Sequence, residues 1–203
     1  MHNGQVLGNV HLGLAGRHNV DNALAVAALA TDSDVTWEAL ANGLANFHGA
    51  GRRMELRGTL NDIVVLDDYA HHPTEIRVTL QAVRERYQPR RLWCVSQPHQ
   101  HSRTRFLLKD FARCFAAADR VLVPDIYFVR DTERDRQAVC AADLVSEINA
   151  CGGHATYCAQ FDEIVTQLAA ELRPGDVVIT MGAGTIWKVA DELVRRLRGH
   201  LPG

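Results

Sequence analysis

Two carboxylates, a phenol and two imidazoles stand within six residues, Asp67-Asp68-Tyr69-Ala70-His71-His72, followed by Pro73. A second polar run, Gln97-Pro98-His99-Gln100-His101-Ser102-Arg103-Thr104, adds two more imidazoles and a guanidinium. Histidine and aspartate at these spacings are ligands a transition metal would accept. Against a metal, Arg103 would stand beside the cation and no cysteine joins the group, so no metal ligand is assigned. The chemistry fits a polar pocket for a small zwitterion better. Arg103 or a histidine would take its carboxylate, and an aspartate its ammonium.

Three further groups carry chemistry. Arg52 and Arg53 are adjacent, beside Gly49 and Gly51, and paired arginines next to pliant backbone suit an anion clamp that swings between domains. His18, Asn19 and Asn22 fall near the start of an alanine-rich run, with the asparagines on one helical face. They read either as an N-cap with polar first-turn neighbours or as amides that recognise a base edge. Gly182-Ala183-Gly184 follows an apolar run; such a turn allows close packing and can present N–H groups to an anion.

Hydrophobic patterning supplies the elements that position these groups. Apolar, β-branched runs predict strands over 54–60, 63–67, 91–96, 120–124, 155–157 and 177–181. Helical patterns predict helices over 73–87, 104–117, 141–150, 161–172 and 185–197, the first with Pro73 in its opening turn. Leu60-Asn61-Asp62 joins the first two strands as a hairpin. The rest alternates β and α, the signature of a Rossmann-like, open, mostly parallel α/β sheet with helices on both faces. Asp67–Pro73, the stretch after Ser96 and the Gly182–Gly184 turn then all lie at the carboxyl edge, where ligands bind such sheets. Ahead of the sheet, 10–14 reads as the end of a strand, and helices are expected over the alanine-rich stretch and from Thr36 to about Phe47. Residues 129–138 read as an exposed charged loop.

The chain has 203 residues and a formal charge of −2. That balance gives no reason to expect nucleic acid or an anionic membrane as a partner. No apolar run has the length of a membrane span, and the first residues do not read as a signal peptide. Five cysteines without a CxxC spacing, most within apolar patterns, read as buried reduced thiols and hence a cytoplasmic compartment. No GxxxxGK[ST] phosphate loop occurs. If nucleotide is bound, its phosphates and metal must be held largely by something else.

Taken in order, Gly16-Arg17-His18-Asn19-Val20-Asp21-Asn22-Ala23-Leu24-Ala25, Gly51-Arg52-Arg53-Met54-Glu55, Asp67–Ile76, Gln97–Thr104 and Met181–Gly184 resemble the motifs of the Mur ligases. Within that family they are most similar to the branch that adds L-alanine. The resemblance covers essentially the whole chain. It implies that residues 1–48 are the helical tail of a central ATPase domain, 49–53 a hinge, and 54–203 the C-terminal Rossmann-like domain. The upstream domains would carry the phosphate loop and the ligands of Mg2+. The implied activity is ATP-dependent joining of L-alanine to UDP-N-acetylmuramate through an acyl phosphate, in peptidoglycan precursor synthesis, with this chain inactive alone. The resemblance further implies that His18, Asn19 and Asn22 surround adenine, that Arg53 reaches the nucleotide phosphates, and that Asp68 meets the ribose side. Tyr69, His71, His72, His99 and Arg103 would line the amino-acid and muramate pocket. The alternative is a stand-alone nucleotide- or amino-acid-binding module without ligase activity.

Overall fold

The computed structural model describes residues 5–14, 16–47 and 51–199, apart from the side chain of His18. Part of the expected hinge, Gly49 and Ala50, lies outside these residues, as does the His18 side chain. The chain divides into two compact units, 1–50 and 51–203.

In the first unit, α1 (Arg17–Asp32) and α2 (Trp37–Ala45) form a helical pair. Alanine supplies the helix propensity of α1, but no asparagine caps it: the N-cap is Gly16, at φ 97°. Asn19 and Asn22 sit inside the helix instead. Thr36 caps α2 by accepting the Ala39 N–H at 3.3 Å. Among the described side chains of these two helices only Leu40 is buried, whereas Leu24, Val26 and Leu29 are exposed. The strand end expected at 10–14 does not form; those residues lack regular structure. A strand holds its shape through a ladder partner, and none is described there.

The second unit is a six-stranded sheet in the order β1-β2-β6-β3-β4-β5. The strands are β1 (Glu55–Leu60), β2 (Ile63–Asp68), β3 (Leu92–Ser96), β4 (Arg120–Val123), β5 (Ala155–Tyr157) and β6 (Val177–Met181). β1 and β2 are an antiparallel hairpin, and all other pairings are parallel. The hairpin turns on Asn61 and Asp62, both at positive φ (50° and 60°). Two such residues give the type I′ geometry whose twist matches the strands, and Asn and Asp tolerate it.

Helices α3 (Pro73–Tyr87), α5 (Leu108–Cys114) and α7 (Ala141–Ala150) supply one core layer, and α8 (Phe161–Glu171) and α9 (Trp187–Gly199) the other. Alternate strand residues serve the two layers. Leu66, Cys94 and Ile179 pack with Ile76, Leu80 and Phe111, while Val65, Val95 and Val178 pack with Ile164, Leu168 and Leu193. Burial on both faces explains why the strands read as continuous apolar runs.

Three expectations need correction. The helix expected over 104–117 begins earlier and is broken at Leu107 into α4 (His101–Phe106) and α5. The charged stretch 129–138 contains a short helix, α6 (Glu133–Ala138), closed by a Thr132–Asp135 capping box. The cysteines are all free, but only Cys94 and Cys114 are buried; Cys140 and Cys151 are exposed at the two ends of α7.

Candidate functional site

The carboxyl ends of β2, β6 and β3 lie side by side. Asp68 pairs in register with Met181, and Met181 with Ser96. The helix after β2 covers one face and the helix after β6 the other, the switch in helix side at which open α/β sheets bind ligands. The sequence-derived groups on residues 67–73, 97–104 and 182–184 therefore meet at one edge.

Arg52 ties this edge together. Its Nε donates to Asp67 Oδ2 at 2.7 Å, Nη1 to the Gly184 carbonyl at 3.1 Å and Nη2 to the Gly182 carbonyl at 2.7 Å. The Gly182–Gly184 turn thus meets a cation through its carbonyls, while the Gly182 N–H bonds to the Asp68 carbonyl at 3.1 Å. Asp67 is fully buried, and its other oxygen accepts from Thr180 Oγ1 at 2.6 Å. The Arg52 carbonyl accepts the Tyr69 N–H at 2.6 Å. Arg52 stands at φ 59° and Met54 at φ 45°, a left-handed region that costs a non-glycine residue about 1 kcal/mol or more. The hydrogen bonds at Arg52 and Tyr69 hold it there. Arg53 is different. It is exposed, makes no hydrogen bond or ion pair among the described residues, and lies 5.8 Å from the Tyr69 ring centre.

Asp68 is buried and lies inside the turn. Oδ2 accepts the Met54 N–H and Oδ1 the Ala70 N–H, each at 2.7 Å. Burial pushes its carboxyl above the ordinary carboxylate range, against the pull of those two N–H groups and the charge of Arg53. The zwitterion reading gave an aspartate to the ammonium; in this arrangement Asp67 and Asp68 both spend their two oxygens within the protein.

Beyond Tyr69 the rings form a row. Tyr69 and His71 are 5.4 Å apart, His71 and His99 5.9 Å, and His99 stacks on Tyr127 at 5.4 Å. His72 does not join it. It is exposed, and its Nδ1 accepts the Thr74 N–H at 3.3 Å as the N-cap of α3, while Glu75 accepts the N–H groups of both histidines. Pro73 suits the first helical position because its missing N–H needs no partner.

Two loops support the far end of the row. The His99 stretch bridges to Tyr127, the Gln100 N–H donates to the Tyr127 carbonyl at 3.1 Å, and Tyr127 N–H donates to the Pro98 carbonyl at 2.8 Å. Asp131 accepts the His101 N–H and, at 2.6 Å, the Ser102 hydroxyl. His101 is thereby buried against Phe128 rather than turned to the row. Arg103 is half-buried, pairs with no carboxylate among the described residues, and keeps a buried Nη1 without a partner. Burial pushes the His99 imidazole below its ordinary value, and the nearby charge of Arg103 adds to that. An unpaired guanidinium beside an imidazole is chemically able to receive a carboxylate.

Asn19 and Asn22 lie three residues apart on α1, Asn22 exposed. Among the described residues, no three His, Cys, Asp or Glu side chains converge to hold a metal ion, and no helix is long and apolar enough to cross a membrane. Sequence reasoning did not see that Arg52 and Asp67 build the edge from inside. The signal for Asp67 was present, since a carboxylate in an apolar strand requires a buried partner.

Comparison with known proteins accounts for this construction. The family profile described as "Mur ligase, glutamate ligase domain" matches residues 52–184. UDP-N-acetylmuramate–L-alanine ligases from Desulfitobacterium hafniense and Lachnospira eligens are 44% and 42% identical to the chain, over 94% and 95% of it. The matches cover 42% and 41% of those relatives. The chain thus spans about two fifths of the length of the curated relatives it matches. The crystal structure of UDP-N-acetylmuramate-alanine ligase MurC from Thermotoga maritima superposes with a TM-score of 0.79 at 26% identity, covering 98% of this chain and 42% of that one. The matched stretch opens on Arg52 and closes on Gly184, the two residues that the guanidinium–carbonyl bond joins. The chain belongs to the Mur ligase family.

Proposed function

We propose that this chain is the C-terminal portion of an ATP-dependent ligase that joins L-alanine to UDP-N-acetylmuramate in peptidoglycan precursor synthesis. The single observation that carries the reading is the carboxyl edge itself. It presents an exposed, unpaired Arg53 at one end and a partly buried, unpaired Arg103 at the other, with Tyr69, His71 and His99 between. Two anionic groups, a phosphate and a carboxylate, suit those two guanidiniums. The names of the relatives at 42–44% identity supply the substrates.

In this reading residues 1–48 are the tail of a central ATPase domain. The exposed apolar residues of α1, Leu24, Val26 and Leu29, support it, because such a surface calls for a cover. His18, Asn19 and Asn22 border the adenine. Residues 49–53 serve as a hinge and 54–203 as the amino-acid domain. ATP, when bound, supplies the phosphoryl group that turns the muramate carboxylate into an acyl phosphate. Arg53 fits a phosphate because it is exposed and makes no ion pair among the described residues, and it would stabilise charge developing on the transferred group. Mg2+ would be held, as the family resemblance implies, mainly by the domains ahead of this one.

Asp68 acts by holding the turn that carries Tyr69 and His71, and through that turn it meets the ribose side of the nucleotide. Arg103 and His99 hold L-alanine by its carboxylate, which places the amine for attack on the acyl carbon. His72 borders the pocket from the start of α3. Closure over the edge would exclude water from the acyl phosphate. The site of action is the cytoplasm.

The test is direct. Incubated with ATP, Mg2+, UDP-N-acetylmuramate and L-alanine, the 203-residue chain forms no product and releases no ADP. A longer polypeptide that adds a phosphate-loop domain ahead of it does both. Turnover by the chain alone would contradict the reading, and so would an inactive longer polypeptide that binds ATP.

A further inference from the structure

Of the five buried side-chain polar atoms without a hydrogen-bond partner among the described residues, four belong to one loop. They are Gln97 Oε1, His99 Nδ1, His101 Nδ1 and Arg103 Nη1. Buried polar atoms are nearly always paired; His101 Nδ1 faces Asp131 Oδ2 at 3.5 Å, and the remaining three mark a place built to receive polar groups from outside. Arg103 and His99 answer to a carboxylate. Gln97 Oε1 is the contrasting atom: an acceptor, on a side chain only 7% exposed.

The orientation of that carboxamide is fixed by its neighbour. Gln97 Nε2 donates to the Asp125 carbonyl at 3.4 Å. A carbonyl can face only the NH2 end of the amide, so Oε1 is the end turned away. It points to the glycine turn. A Cβ placed on Gly184 would stand 2.9 Å from Gln97 Oε1 and 2.9 Å from Tyr127 Cδ2. Tyr127 is the ring on which His99 stacks. Gln97 Oε1 therefore belongs to the same wall as the carboxylate receptor. The Asp67 and Asp68 carboxylates at the end of β2 are spent on Arg52, Thr180, Met54 and Ala70.

We infer that Gln97 recognises the amino group of the amino-acid substrate, its Oε1 accepting an N–H while Arg103 holds the carboxylate. The inference rests on the amino-acid pocket proposed above and adds the residue that distinguishes an amino acid from a simple carboxylic acid. A carboxamide suits this task better than an aspartate. A carboxylate partner favours the ammonium form, which has no lone pair for attack, whereas a neutral acceptor bonds the amine without that bias.

The experiment titrates the isotope-labelled chain with L-alanine and with propanoate, which has the carboxylate but no amine, and follows side-chain resonances. Both ligands should move the Arg103 guanidinium signals, and only L-alanine the Gln97 carboxamide. Gln97→Met should weaken L-alanine about tenfold or more, the effect of losing a hydrogen bond to a charged group, and leave propanoate unchanged. Thermal unfolding of the variant establishes that it folds; if it does not, the carboxamide signal of the parent chain decides. An unmoved Gln97 carboxamide with L-alanine overturns the inference while leaving the pocket in place. Equal weakening of both ligands by Gln97→Met does the same. If neither ligand moves Arg103, the amino-acid pocket itself fails, and the inference with it.

Discussion

Arg52 Nε donates to Asp67 Oδ2 at 2.7 Å, and the carboxylate it meets is fully buried at the end of β2. The same guanidinium reaches the carbonyls of Gly182 and Gly184, so one side chain joins β2 to the turn after β6. Replacing Arg52 by Met would strand Asp67 with Thr180 as its one remaining side-chain partner. Removing one member of a buried ion pair costs about 3–5 kcal/mol. Urea unfolding should show that loss with Arg52→Met. Arg52→Lys should fall between it and the parent, because an ammonium keeps the charge but not the planar fork that spans three acceptors.

Arg53 should behave in the opposite way. Exposed and without an ion pair among the described residues, it contributes little to folding. Arg53→Ala should stay within about 0.5 kcal/mol of the parent in the same unfolding measurement. In the complete ligase it should reduce turnover about a hundredfold or more, as expected for a group that stabilises developing charge. Unchanged turnover would remove the phosphate role.

Asp68→Asn tests the turn. Both carboxylate oxygens accept backbone N–H groups, and asparagine must set its own NH2 against one of them. Leaving one buried N–H without an acceptor costs about 1–3 kcal/mol. Hydrogen exchange should quicken at the amide of Met54 or of Ala70. Unaltered protection at both would show that Asp68 does not hold the turn.

His99 supplies a pH test. Burial and the charge of Arg103 lower its pKa in the folded chain. An NMR titration should therefore place it below the ordinary value of about 6.5, and Arg103→Met should raise it part of the way back. The linkage runs with the neutral form: the contribution of His99 to stability is present above pH ~6.5 and is lost as pH falls through the folded pKa. His99→Asn should flatten that part of the stability profile. A His99 pKa above the ordinary value would contradict the electrostatics of the loop.

Most of the architecture was legible because it rests on local patterns. The apolar β-branched runs gave six strands, Pro73 marked the start of α3, and Leu60-Asn61-Asp62 marked the hairpin. The convergence at the carboxyl edge follows from alternating β and α. What stayed hidden depends on tertiary geometry. Two adjacent arginines look alike in a sequence; the positive φ at Arg52 and Met54 decides which one turns inward. Asp67 and Asp68 look available until their hydrogen bonds are counted. His72 is legible as a polar residue of the turn, but not that its ring caps α3. α6 did leave a local signal, Thr132 three residues before Asp135, within a stretch whose mixed charge read as loop.

In the proposed function this edge receives an amino acid by its carboxylate at Arg103. The most direct measurement is the KM of the complete ligase for L-alanine, compared with its KM for ATP, in the parent and in Arg103→Met. Truncating one partner of a buried charge pair costs about 2–5 kcal/mol, so the KM for L-alanine should rise at least about thirtyfold while that for ATP stays unchanged. An unaltered KM for L-alanine, or equal rises for both substrates, would contradict the account.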